Sequence, residues 1–251
     1  GSRWAETVVT YSFPQTSSAY AADYPSTWPQ QNFQPFSANW AAHAVSLLAE
    51  VSSFTLLTFT QDSDAASGSL RWGRFDDQYN GAYAYGPGSN EYGGDQWFAN
   101  NANADPIRGE AVSHIMRHEL GHALGLSHPF EGIGGAAPAS YDSLEYSTMS
   151  YRLHTSQQDG DYSGNHYEQS FMSLDIAALQ YLYGANYAFN ATDTTYSFDP
   201  ATGRMLVNGV LGDPMSHVVV LRTIWDGGGV DTYDFSNFTD DQRIDLAPGA
   251  W

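Results

Sequence analysis

His118 to His128 reads HELGHALGLSH, and this stretch decides how the chain is understood. It fits the spacing H-E-x-x-H-x-x-G-x-x-H. On a helix, His118 and His122 stand at i and i+4, one turn apart on one face. That spacing presents two imidazoles to a single metal ion. Gly125 can take a positive φ and end the helix, so that the chain turns back and His128 supplies a third nitrogen. Three protein ligands leave zinc a position for water, which separates a catalytic site from a closed structural one. Zinc lowers the pKa of that water to about 7, and Glu119 is placed to take its proton as general base. The competing reading, a helix whose histidines are merely packed, leaves the full five-residue pattern unexplained.

With Pro129 added, HELGHALGLSHP resembles the serralysin branch of the metzincin zinc endopeptidases. The resemblance implies an α+β (α/β-type) catalytic domain with a mixed twisted sheet, a long zinc-binding helix and a C-terminal helix. A small antiparallel β unit would follow it. On this reading residues 3–185 form the metalloprotease domain. Residues 186–251 form the start of a calcium-binding β-roll or sandwich domain. The glycine-rich nonapeptide repeats that continue that domain in the family do not occur before Trp251.

The elements read from the residues fit this order. Thr7–Phe13, Leu56–Thr60, Ser69–Phe75, Ala82–Tyr85 and Asp95–Phe98 are rich in β-branched and aromatic residues and are expected as strands. Trp40, Ala44, Leu47, Leu48 and Val51 recur at helical spacing after a Ser37-Ala38-Asn39 start. The motif helix is expected over Arg108–Leu124. Another runs from Ser173 to Tyr183, with Gly184 as its cap. Beyond Asn186 the expected strands are Thr195–Phe198, Met205–Val207, His217–Ile224, Thr232–Phe235 and Arg243–Leu246. His114, one turn before His118, is expected to pack or to support the ligands, since a fourth ligand would close the site.

Further site residues follow from the resemblance. Ser147-Thr148-Met149-Ser150-Tyr151 resembles the Met-turn, with Met149 as an apolar floor beneath the histidines. Tyr151 matches a serralysin tyrosine that ligates resting zinc and then hydrogen-bonds the oxyanion. Ala82, Tyr83, Ala84 and Tyr85 are either an ordinary edge strand or, as in metzincins, the edge along which an extended peptide lies. Asp226 to Asp231, DGGGVD, offers carboxylates and inward-turning carbonyls, which is calcium chemistry or simply an Asp-Gly turn. In serralysins this loop shares calcium with the segment after the last helix. The implied ligands are Asn190, Thr192, Thr194, Asp226, Gly228 and Asp231. The family usually carries Arg and Gly where Asn190 and Thr192 stand.

Composition narrows the partners. There are 28 acidic residues against 9 basic ones, all nine arginine, for a net charge of −19. Phosphate backbones and anionic membrane surfaces are disfavoured, and no apolar run is long enough to span a bilayer. With no cysteine, stability must come from packing and bound metal. The N-terminus has no apolar signal core. What the resemblance implies is a monomeric, secreted zinc endopeptidase, free or associated with a cell surface. It would act on protein or peptide substrates and be open to a proteinaceous inhibitor. The reading from another class is a calcium-dependent surface or adhesion module with a vestigial zinc site. An intact Glu119 argues against it.

Overall fold

The structure is a computed structural model. It describes residues 2–21, 24, 28–63, 69–76, 81–88, 90–99, 105–131, 136–153 and 166–245. Its first sheet contains β1 (Val8–Ser12), β2 (Phe33–Gln34), β3 (Thr58–Gln61), β4 (Leu70–Phe75), β5 (Ala82–Ala84) and β6 (Asp95–Ala99). The order is β3-β1-β4-β6-β5, with β2 paired to β4. β1, β3, β4 and β6 pair in parallel, whereas β2 and β5 run antiparallel to their neighbours. The sheet is therefore mixed, and β5 lies at one of its edges.

Alternation along the strands divides the core. Leu70, Trp72 and Phe98 face the helices, whereas Phe75 and Trp97 face a separate aromatic cluster with Tyr20 and Tyr24. Besides α1 (Trp28–Gln31), the helices are α2 (Ala38–Phe54), α3 (Ala111–Ala123) and α4 (Ser173–Tyr183). α2 begins where Ser37 Oγ accepts from the Trp40 amide at 3.3 Å, an N-cap. Its buried stripe is the expected one, extended to Phe54. α3 contributes Met116, Leu120 and Ala123 to the same core, and α4 adds Ile176 and Leu179. α4 has the expected bounds and ends at Gly184, whose φ is +84°.

The C-terminal sheet departs from expectation. It holds β7 (Thr195–Phe198), β8 (Met205–Val207), β9 (Val210–Leu211) and β10 (Thr232–Asp234), ordered β10-β7-β8-β9. The expected antiparallel unit is in fact mixed, because β10 pairs with β7 in parallel. The chain reaches β10 after a long excursion rather than a hairpin turn, and only such a crossover allows parallel pairing.

His217–Ile224 is not a strand either. It runs beside residues 169–172 as a strap bound largely by side chains. Leu221 N donates to Gln169 Oε1 at 2.7 Å, Gln169 N donates to Leu221 O at 2.9 Å, and Thr223 N donates to Ser170 Oγ at 2.9 Å. Residues 243–245 carry no strand, and Leu246 lies outside the described residues.

Candidate metal centre and cleft

α3 carries His118 and His122 one turn apart on one face, both toward a cleft. The helix closes with Gly125 N donating to His122 O and Leu126 N donating to Gly121 O, each at 2.9 Å. This is a Schellman closure, and it requires the left-handed backbone that Gly125 adopts at φ +101°. The turn has two effects. It returns the chain so that His128 faces the helix, and it aims the Leu126 carbonyl at His122 Nδ1, 2.9 Å away.

The three Nε2 atoms converge. His118 and His122 Nε2 lie 3.2 and 3.1 Å from His128 Nε2. These close approaches are not hydrogen bonds. His118 Nδ1 donates to Thr148 O at 3.0 Å and His122 Nδ1 donates to Leu126 O, which fixes the proton on Nδ1 in both rings. Glu131 Oε1 sits 2.7 Å from His128 Nδ1, off the line of its N–H but near enough to bias that ring the same way. Three lone pairs thus point at one another and repel unless a cation stands among them. Tetrahedral zinc with Zn–N near 2.05 Å would separate its nitrogens by about 3.3 Å, so the residues fit the ion. Among the described residues, this is the one cluster of three or more His, Cys, Asp or Glu able to hold a metal.

The electrostatics agree. Burial first, then the neighbouring His114, holds the His118 imidazolium form down to a pKa of about 3. Burial likewise lowers His122. Neutral rings are what a metal needs. Beside them, Glu119 Oε2 is buried without a partner, and burial pushes its carboxyl up to about 8. An orphaned buried carboxylate is costly. A bound dication would favour its ionised form.

The cleft encloses about 450 Å³ between the histidines, Glu119, Tyr151 and the edge strand. Ala82 and Ala84 pack toward the helices, whereas Tyr83 and Tyr85 turn into the aromatic cluster on the other face. The AYAY alternation therefore leaves small side chains beside the cleft. Tyr85 N still donates to Asp95 O at 2.9 Å, just past the end of β5. Tyr151 lies over the triad, its ring centroid 4.6 Å from His128 and 5.6 Å from His118. Met149 is buried beneath α3, and a Cβ on Gly121 would fall 2.5 Å from its sulfur.

His114 stands outside the metal cluster. Its Nδ1 meets Glu168 Oε1 at 2.9 Å, and its ring stacks on Tyr167. Two contributors were not singled out from the sequence, Glu131 and Phe130, the latter stacked on His128 at 5.0 Å. Glu131 lies three residues after His128, so its spacing alone could have suggested it. Ser2 also lines the cleft and carries no sequence signal for that position.

The six residues read as calcium ligands fall on two facing segments. Gly227 N donates to Phe189 O at 2.9 Å and Thr194 N donates to Asp231 Oδ1 at 3.0 Å. Asp226 already accepts from Tyr196 OH at 2.6 Å and from Gly228 N at 2.9 Å. Thr194 Oγ1 donates to Thr192 O at 2.9 Å, and Asn190 Nδ2 donates to Tyr196 OH at 3.0 Å.

The family profile described as Peptidase M10 serralysin C terminal matches residues 185–251. Metallopeptidase AprA of Pseudomonas marginalis is 34% identical over 230 residues, covering 85% of this chain and 47% of that protein. Serralysin B of Dickeya chrysanthemi is 36% identical over 228 residues, 85% of this chain and 44% of its own length. A Serralysin C of the same organism reaches 38% over 181 residues, 68% and 36%. The chain thus spans about half the length of the relatives it matches, or less. It belongs to the serralysin-type metzincins.

Proposed function

We propose that the protein is a zinc-dependent endopeptidase that hydrolyses peptide bonds in extended protein substrates. The observation that carries the proposal is the buried, unpartnered carboxylate of Glu119 beside three converging imidazole lone pairs, in a cleft walled by the edge strand β5. His118, His122 and His128 would hold zinc, which supplies Lewis-acid polarisation and a water acidified to near neutrality. Glu119 takes a proton from the attacking water and returns it to the leaving amine. β5 binds the substrate backbone as an added strand, with Ala82 and Ala84 leaving room and Tyr83 and Tyr85 anchoring the strand from behind. Tyr151 donates its phenol proton to the developing oxyanion. Met149 forms the apolar floor.

Casein cleavage tests this. Wild type should cleave and should stop when a chelator is added. Glu119→Ala should keep its fold and bind zinc yet lose nearly all activity. Activity within tenfold of wild type in that variant would remove Glu119 from the proton transfer.

The reading extends to calcium between Asn190, Thr192, Thr194 and Asp226, Gly228, Asp231. It is supported by the facing segments and by backbone too close for side chains at Gly227 and Gly229. Ligand at a hundredfold excess over Kd adds about 2.7 kcal/mol to stability. Melting temperature should therefore rise with calcium in wild type and not in the Asp226→Asn, Asp231→Asn double variant. An equal rise in both would place the ion elsewhere. Following the family assignment, we divide the chain into a catalytic domain to residue 185 and a calcium-binding unit from 186. We also place the protein outside the cell, following the family assignment. Recovery only from the cell pellet of an expressing culture would contradict that location.

A further inference from the structure

We infer that Glu168 is a positioning residue for the metal site, acting through Thr148 to fix the carbonyl that orients His118. The inference rests on the zinc-binding reading above.

Glu168 is fully buried, and its Oε1 lies within reach of three donors. His114 Nδ1 is at 2.9 Å, Thr148 Oγ1 at 3.2 Å and Arg117 Nη1 at 3.4 Å. His114 and Arg117 belong to α3, whereas Thr148 belongs to the turn that carries Met149. One carboxylate therefore joins the ligand-bearing helix to that turn at the level of His118.

Thr148 is itself fully buried and is held at three atoms. Its amide donates to Asp175 Oδ2 at 2.7 Å, its hydroxyl to Glu168, and its carbonyl accepts from His118 Nδ1 at 3.0 Å. Only the last of these touches a ligand, and the other two decide where that carbonyl sits. Water cannot replace a lost partner at a site this buried, so the carbonyl would drift.

Glu168 is held in turn. Arg117, adjacent to His118 in sequence, is wholly buried and lies between Glu168 and Glu50, with its Nε 3.7 Å from Glu50 Oε1. Glu50 accepts from the Phe171 amide at 2.6 Å, anchoring the segment on which Glu168 lies. A buried ion pair of this kind adds little net stability over apolar packing, but it fixes geometry once formed. Partners that orient metal-bound histidines typically contribute ten- to hundredfold in metal affinity or activity.

The test measures zinc affinity by competition with a chromophoric chelator, and the visible absorption of the cobalt-substituted protein. Thr148→Val keeps the volume and the Arg117–Glu168 pair but removes the hydroxyl. Glu168→Gln keeps the shape but removes the charge. Both should bind zinc roughly tenfold or more weakly and shift the cobalt bands, with Thr148→Ser restoring both readouts. Wild-type affinity and spectrum in Thr148→Val, even with a lowered melting temperature, would mean that the cluster only packs the core and would overturn the inference. Thr148→Val decides the matter if Glu168→Gln does not fold. Failure of wild type itself to bind zinc would overturn the function reading and the inference together. Zinc bound by wild type with equal affinity in the folded variants would overturn the inference alone.

Discussion

Tyr151 is 65% exposed, yet its ring is set against His118, His128 and Phe130. Ring contacts place it over the triad while most of its surface stays open to solvent, so a swing of the side chain costs little. Burial, then the Glu119 and Glu131 carboxylates, raises its phenol above the ordinary value, and the proton stays available for donation at neutral pH. Tyr151→Phe should retain zinc and leave KM nearly unchanged. Its kcat should fall on the order of 10²–10³, the usual effect of removing one oxyanion donor. Unchanged kcat with raised KM would reduce Tyr151 to an aromatic of the substrate groove. At this scale the sequence was most informative where chemistry is local. His118, Glu119, His122 and His128 stand at helical and turn spacings that can be read directly. Thr148 and Glu168 cannot be read that way. Their role depends on contacts between residues 20 to 54 positions apart, and no spacing rule connects Arg117 to Glu168.

The motif helix also carries a constraint that its own propensity opposes. An alanine at an exposed helix position is favoured over glycine by about 1 kcal/mol. Gly121, however, faces Met149, and an added Cβ would lie 2.5 Å from the sulfur. Met149 is almost fully buried. Gly121→Ala should therefore lower the melting temperature and weaken zinc binding, the reverse of the propensity trend. A raised melting temperature would show slack beneath the helix. Element boundaries were legible where the sequence supplies caps, as Ser37 does for α2 and Gly184 for α4. They were illegible at His217–Ile224. A run of β-branched residues there looks like a strand, yet it is held mainly by the side chains of Gln169 and Ser170 rather than by a second ladder. The parallel pairing of β10 was hidden for a related reason, since turn residues between short strands suggest hairpins.

Across the whole molecule, buried charges link parts distant in sequence. Arg108 pairs with Glu50 at 2.5 Å and with Asp213 at 2.7 Å, joining α2, the approach to α3 and the segment that leads into the strap. Next to them, burial first, then Arg117 and Arg108, depresses His43 to a pKa of about 3. Unfolded chains bind that proton below about 6.5. Between those values the unfolded state holds more protons, so stability falls as pH drops from 6.5 toward 3. Glu50 acts in the same direction. Burial alone would raise it, but Arg117 and Arg108 leave it below its ordinary value, so its contribution is also lost in acid. Each unit of His43 depression that is realised amounts to about 1.4 kcal/mol. With zinc saturating, His43→Gln should lose less stability than wild type between pH 6.5 and 4. Parallel slopes for the two proteins would remove His43 from the acid response.

The strap has a consequence in time. A ribosome adds about 5–20 residues per second, starting at the N-terminus. The histidine triad is therefore made roughly 5–20 s before the residues that brace Gln169 and Ser170, and with them the segment holding Glu168. During that interval the nascent chain has its ligands but lacks their full support. A site assembled in this order gains the segment that braces it only once residues 217–224 have been made.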